Sequence, residues 1–245
     1  MGLTAAATLF LVKEEGAGSE RIATHGLAGR LLDTMADHRS IYLRAAGPMI
    51  ALTVLRQARQ IFLPLWGDHI GLDIAQIGLL TSISFALDAA VFYPSGLLMD
   101  RKGRKWTGVP CLLTIAVGML ILPLSHDFLS FMAVAMLTGL GNGMGAGINQ
   151  TLGADFAPPD RRGEFLGVWR LLGDVGQAGG PFAIGILTGV ASLAVASVAS
   201  AGIGVLGAIG MLILIPETLK QHRAKIAARA GPAVAVIEVP PNDRS

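Results

Sequence analysis

Gly96-Leu97-Leu98-Met99-Asp100-Arg101-Lys102-Gly103-Arg104-Lys105 is the stretch that decides the fold. An apolar helix stops at Asp100, four cations follow, and a new apolar stretch opens at Trp106. Charges that are costly in hydrocarbon collect where a chain leaves it, so this junction reads as a tight basic turn between two membrane spans. It fits the pattern GxxxD[RK]xG[RK][RK]. In that pattern Gly96 permits close helix contact, Asp100 ends the span, Gly103 makes the turn, and Arg101, Arg104 and Lys105 fill the basic positions.

Outward from the turn, 52% of the 245 residues are hydrophobic and 15% are charged, with a mean hydropathy of +0.59. A soluble domain seldom has this composition. Windows of about 18 or more apolar residues predict six spans, over Ala46–Trp66, Ile74–Leu98, Trp106–Leu124, Leu129–Asp155, Leu166–Val190 and Leu193–Ile215. Of the 19 lysines and arginines, all but Arg56, Arg59 and Arg170 fall in Lys13–Arg44, the turn at 101–105, Arg161-Arg162 or the tail after Ile215. None falls in the intervening connections at 67–73, 125–128 and 191–192. The positive-inside bias then predicts a multi-pass cell-membrane protein with both termini cytoplasmic. The pI of about 8.9 needs no nucleic acid, because the basic segments face anionic lipid headgroups. The one cysteine, Cys111, excludes an intrachain disulfide.

The basic turn resembles the signature loop of the major facilitator superfamily of transporters. The resemblance implies an all-α membrane protein whose six transmembrane helices form half of a twelve-helix bundle. Residues 1–12 then read as the stump of a preceding transmembrane helix and 13–45 as a cytoplasmic connector, with an amphipathic helix near Ile22–Met35 on the membrane surface. Residues 46–215 form the six-helix half, and 216–245 a cytoplasmic tail, partly disordered. Stump, connector and six spans together suggest the carboxyl-terminal half. Ala135 stands where the amino-terminal half commonly carries the arginine of RxxxGxG, which agrees. Gly167, Gly176, Gly180-Pro181 and Gly185 match the spacing of the family's antiporter motif, Gx8Gx3GPx2GG, with Ile184 in place of one glycine. These residues are candidates for packing or bending the fifth helix.

Charge separates the spans. The third and sixth carry no ionisable side chain beyond Cys111, and both are expected to face lipid all round. Arg56, Arg59, Asp88, Arg170 and Asp174 lie in the first, second and fifth, while the fourth carries Asn142, Asn149 and Gln150. Buried charges at membrane depth should face water or one another. At 1.5 Å per residue, Arg56 and Asp88 sit about 15 Å deep and Asp174 about 12 Å. Arg56, Arg59, Asp88, Asn142, Arg170, Asp174 and Gln177 are therefore the expected cavity and proton-coupling residues, with Arg56 the charge partner of Asp88. The alternative readings are that Arg56 only pairs with Asp88 to hold two helices together, and that Arg170 and Asp174, four apart, neutralise each other. In the fourth span Gly139, Gly143 and Gly147 repeat every four residues, as do Gly141 and Gly145, giving two small-residue faces for close helix packing.

Enzyme chemistry finds no support. All five histidines, His25, His38, His69, His126 and His222, lie outside the spans. No metal cluster, cofactor motif or GxSxG elbow is visible, so no catalytic residue, metal or cofactor is expected. The expected function is secondary transport of a small or drug-like solute, exported by alternating access and driven by protons. Asp88 and Asp174 would be the carriers, since burial and ion pairing act on a carboxylate's proton affinity in opposite directions. Expected partners are membrane lipid, the solute, protons, and an amino-terminal half or second copy that completes the path. The alternative is a non-transporting remnant or a membrane scaffold awaiting such a half.

Overall fold

A computed structural model describes residues 20–215; the expectations for residues 1–12 and 216–245 lie outside the described residues. The described chain is all helix: α1 Glu20–Asp37, α2 Arg39–His69, α3 Ile74–Lys102, α4 Lys105–Ile121 with a 3-10 turn at Leu122–Leu124, α5 Phe128–Met144, α6 Ile148–Phe156, α7 Arg162–Val190 and α8 Leu193–Leu214. Four segments are long and apolar enough to cross a membrane: α3, α4 with its 3-10 turn, α5 with α6, and α8. Helices α2 and α7 match them in length, but their arginines, Asp174 and polar amides lower the hydropathy.

Local signals set the helix ends. Asp73 caps α3 by accepting from the Gln76 amide at 2.7 Å, and Asp127 caps α5 by accepting from the Ser130 amide at 2.7 Å. In both cases the side chain three residues on returns a bond to the capping residue, so two orphan donors are satisfied at once. Gly103 ends α3 with φ +113, a conformation that favours glycine.

Small residues bring the long helices together, as expected where lipid offers no hydrophobic drive for helix pairing. Helix α5 packs tightly on α3 and α4, α4 on α8, and α2 on α7 and α8. A Cβ on Gly204 of α8 would lie 2.7 Å from Leu55 of α2 and 2.9 Å from Ala116 of α4. One on Gly207 would lie 2.7 Å from Ala51. Helices α4 and α8 therefore depart from the expectation that the third and sixth spans face lipid all round. Cys111, Leu112, Ile115 and Met119 of α4 are fully buried, and Trp106, Val117 and Leu120 mark its open face. An apolar helix packs as readily on protein as on lipid, and the glycines of α5 and α8 select protein for one side.

The fourth span holds a second departure, because it is not one helix. Helix α5 stops at Met144 and α6 starts at Ile148, with Gly147 left-handed at φ +77. Nothing lies within 4 Å of a Cβ built on Gly147, so this glycine makes the break and does not extend the packing stripe of Gly139 and Gly143. Helix α1 is fixed to the start of α7, where Thr34 Oγ1 donates to Glu164 Oε2 at 3.1 Å and Arg161 meets Asp37 at 3.2 Å. Tyr42 stacks on Phe165 with ring centroids 4.8 Å apart and donates to its carbonyl.

Candidate functional site

The polar centre of the bundle follows from the closeness of α3 and α5. A Cβ on Gly143 would lie 2.5 Å from the backbone oxygen of Asp88, and the Gly139 position abuts the Ser84 backbone in the same way. Asn142, beside Gly143, is thereby set against the Asp88 side chain, and its Nδ2 donates to Asp88 Oδ2 at 2.5 Å. The carboxylate fixes the amide's orientation, since only the nitrogen can donate to it. Arg59 enters from α2: its Nη1 lies 3.5 Å from Asp88 Oδ2 and its Nη2 donates to Ser84 Oγ at 2.7 Å. Ser84 Oγ in turn donates to the Ala135 carbonyl at 2.6 Å. The Arg59 guanidinium also sits over the Phe85 ring, 5.1 Å from its centroid. Arg59 is 1% exposed and the Asp88 side chain 17%, so the pair is a buried cation beside a carboxylate with one side open.

This corrects the pairing expected from sequence. Arg56 does not meet Asp88; its Nη2 donates to the Gly145 carbonyl at 2.6 Å. Gly145 lies in the break between α5 and α6, where bonds three residues apart replace the α-helical ones and the Ile148 amide donates to the same carbonyl at 3.2 Å, and the C-terminal end of α5 carries partial negative charge. A guanidinium is the strongest donor available to such a carbonyl. Arg56 and Arg59 stand three apart on α2 and divide the work: one closes the broken span and the other pairs with the carboxylate.

Helix α7 keeps its charges apart. Among the described residues no ion pair within 4 Å joins Arg170 to Asp174, although they stand one turn apart. Both are exposed, as is Gln177, and the three form a polar stripe on the open face of α7. Arg170 lines a cavity of about 440 Å³ with Met49, Asn149, Gln150, Trp169 and Gly173. Trp169 Nε1 donates to the Asn149 carbonyl at 2.9 Å, which ties α7 to α6 at the edge of this cavity.

The basic turn is built differently from its reading as a cluster of surface cations. Arg104 is buried, and its Nε donates to Asp155 Oδ2 at 2.8 Å, with both side chains 2% exposed. Its Nη2 reaches Asp155 Oδ1 at 3.4 Å and its Nη1 donates to the Met99 carbonyl at 3.1 Å. Asp100, 72% exposed, lies 3.7 Å from Arg104. Lys105 Nζ donates to the Leu212 carbonyl at 2.6 Å, fastening the turn to α8, and Arg101 is exposed. Asp155, at the end of α6, is the residue that the sequence analysis passed over. Its signal was an isolated carboxylate closing an apolar span. Gly96 makes no close contact, since nothing lies within 4 Å of a Cβ there. Ser95 faces α5 instead and donates to the Gly143 carbonyl at 2.9 Å.

The antiporter-like glycines of α7 divide in the same way. Gly176 and Gly180 pack against Thr53 and Gln57 of α2, a Cβ built on Gly167 would lie 3.6 Å from Leu31, and one on Gly185 would meet nothing within 4 Å. Pro181 lies inside α7, which runs unbroken from Arg162 to Val190. The break in the bundle falls in the fourth span and not at this proline. Among the described residues no group of three His, Cys, Asp or Glu side chains is placed to hold a metal ion.

Comparison with known proteins agrees with this architecture. The family model of the Major Facilitator Superfamily matches residues 49–240. A protein of Yersinia pseudotuberculosis serotype I whose name assigns it to multidrug resistance, MdtD, is 27% identical over 136 residues, covering 55% of this chain and 29% of the relative. The arabinose-proton symporter of Bacillus subtilis strain 168 is 32% identical over 77 residues, covering 31% of this chain and 17% of the relative. The matched segments thus span less than a third of these relatives' lengths.

Proposed function

The chain belongs to the Major Facilitator Superfamily, a family of membrane transporters and not of enzymes, and from that premise we propose that it serves proton-driven secondary transport of a small solute by alternating access. The observation that carries the proposal is the Arg59–Asp88–Asn142 cluster. A carboxylate accepting a 2.5 Å bond from a neutral amide and lying 3.5 Å from a buried guanidinium has two ways to be satisfied: it holds the ion pair or it holds a proton. Protonation releases Arg59, and deprotonation recaptures it, which is the exchange a coupled carrier needs.

Two further readings belong to the proposal. The chain lies in the cell membrane with the basic turn and both termini cytoplasmic, in line with its charge bias. An amino-terminal half or a second copy completes the path, covering the open faces of α3 and α7. Phe92 and Tyr93 on α3 and Phe182 and Ile186 on α7, each more than half exposed, support this. Export of a drug-like compound is the favoured direction, supported by the spacing of Gly176, Gly180 and Pro181 and by the name of the MdtD relative. The test is proton-gradient-driven flux through the complete transporter. Asp88→Asn, which keeps the side chain's shape but cannot shed a proton, is expected to abolish gradient-driven flux while leaving downhill exchange. Retention of driven flux by Asp88→Asn and by Asp174→Asn alike would refute the coupling.

A further inference from the structure

We infer that the cavity between α2, α6 and α7 is the solute subsite and that it takes an amphipathic organic anion, with Arg170 as its charge contact; this rests on the transport reading above. Arg170 lies one turn before Asp174 on α7, about 6 Å inside the span on the depth count used for Asp174, and a cation left without a counter-charge there is disfavoured. The two arginines of α2 have fixed engagements, Arg59 with Asp88 and Arg56 with the Gly145 carbonyl. Arg170 has no ion pair within 4 Å among the described residues and opens into the cavity of about 440 Å³.

The lining describes the ligand. A guanidinium presents a planar fork of donors that matches carboxylate, sulfonate or phosphonate oxygens. Asn149 and Gln150 stand in the same wall, adding amide-bearing side chains beside the guanidinium. Met49, Leu166 and Trp169 complete the wall with apolar surface for the solute's body. The volume falls within the usual range of small-molecule sites, about 300–1,000 Å³. A cationic solute would meet Arg170 directly, and a neutral one would leave its charge unmatched.

A matched probe series tests this at equilibrium, without requiring flux: naphthalene-2-sulfonate, the neutral naphthalene-2-sulfonamide and the cationic 2-naphthyltrimethylammonium, each titrated against the full chain in lipid nanodiscs and against empty nanodiscs. The sulfonate is expected to bind tighter than the sulfonamide by about tenfold, the value of one charge-assisted contact. Arg170→Gln should erase that preference while Arg170→Lys keeps part of it. Because the Arg170 side chain is exposed, these variants should elute as the parent does. Equal binding of all three probes, preference for the ammonium, an unchanged preference in Arg170→Gln, or no saturable binding of any probe would each overturn the assignment. A sulfonate preference that survives alongside retained gradient-driven flux in both Asp88→Asn and Asp174→Asn would sink the proton coupling and leave this site standing.

Discussion

Arg56 donates at 2.6 Å to the carbonyl of Gly145, so a side chain of the first long helix closes the gap where the fourth span is broken. An isolated C-terminal helix end inside a membrane must find donors from neighbouring side chains or water, and here the donor is charged. Arg56→Gln should therefore lower the thermal midpoint of the detergent-solubilised chain, at a cost of about 1.5–3 kcal/mol for the lost charge-assisted bond, the Gly145 carbonyl keeping only the Ile148 amide at 3.2 Å. Gly147→Ala should destabilise through a different cause, since φ +77 costs an L-residue about 1–2 kcal/mol. If the two variants unfolded at the parent temperature, the break would not depend on either residue.

The Arg104–Asp155 pair gives a sharper stability prediction, because both side chains are 2% exposed. Removing one member of a buried pair strands the other charge, typically at about 3–5 kcal/mol. Arg104→Ala and Asp155→Ala should each unfold markedly earlier, and the double variant should be less destabilised than the two effects added. Strict additivity in this thermal double-mutant cycle would mean that the two side chains do not act as a pair.

Packing at the α3–α5 seam distinguishes two glycines that a sequence pattern treats alike. Gly143→Val inserts atoms against the backbone of Asp88, 2.5 Å from the first of them, and backbone cannot step aside as a flexible side chain does. The expected result is a loss of about 1–3 kcal/mol from overpacking, with α3 displaced and the Asn142–Asp88 bond lost. Gly96→Ala, with nothing within 4 Å, should be neutral or gain up to about 1 kcal/mol of helix propensity. Thermal midpoints of the two variants that coincide would remove the distinction.

Much of the fold was legible because membrane spans announce themselves by length and hydropathy, and the basic turn marked one junction outright. What the sequence hid was rotation. Arg56 and Arg59 are three apart at nearly the same depth, and which one reaches Asp88 depends on how α2 is turned relative to the seam that Gly139 and Gly143 set. The break in the fourth span was concealed for a related reason. Gly139, Gly141, Gly143, Gly145 and Gly147 all read as packing positions, yet the left-handed φ of Gly147 arises from tertiary context that spacing does not encode. Arg104 looked like a headgroup contact because its partner, Asp155, lies 51 residues away.

The cap of α5 carries the pH prediction. Asp127 lies in the connection before α5, and its carboxyl is held below the ordinary 3.8 by bonds from the Ser130 hydroxyl and then the Ser130 amide. A carboxylate whose folded pKa is depressed contributes stability above its unfolded value, and that contribution is lost as the pH falls through the folded one. The thermal midpoint of the parent should therefore decline on acidification below about pH 4, in part through Asp127. Asn at an N-cap accepts the same backbone bond without titrating, so Asp127→Asn should fold at neutral pH and show a shallower decline on acidification. Asp127→Ala, which loses the cap outright, should start from a lower midpoint at every pH. The three thermal profiles, recorded side by side from neutrality into acid, separate the charge of this residue from its hydrogen bonds. Parallel profiles for the parent and Asp127→Asn would show that the acid sensitivity of the chain arises elsewhere.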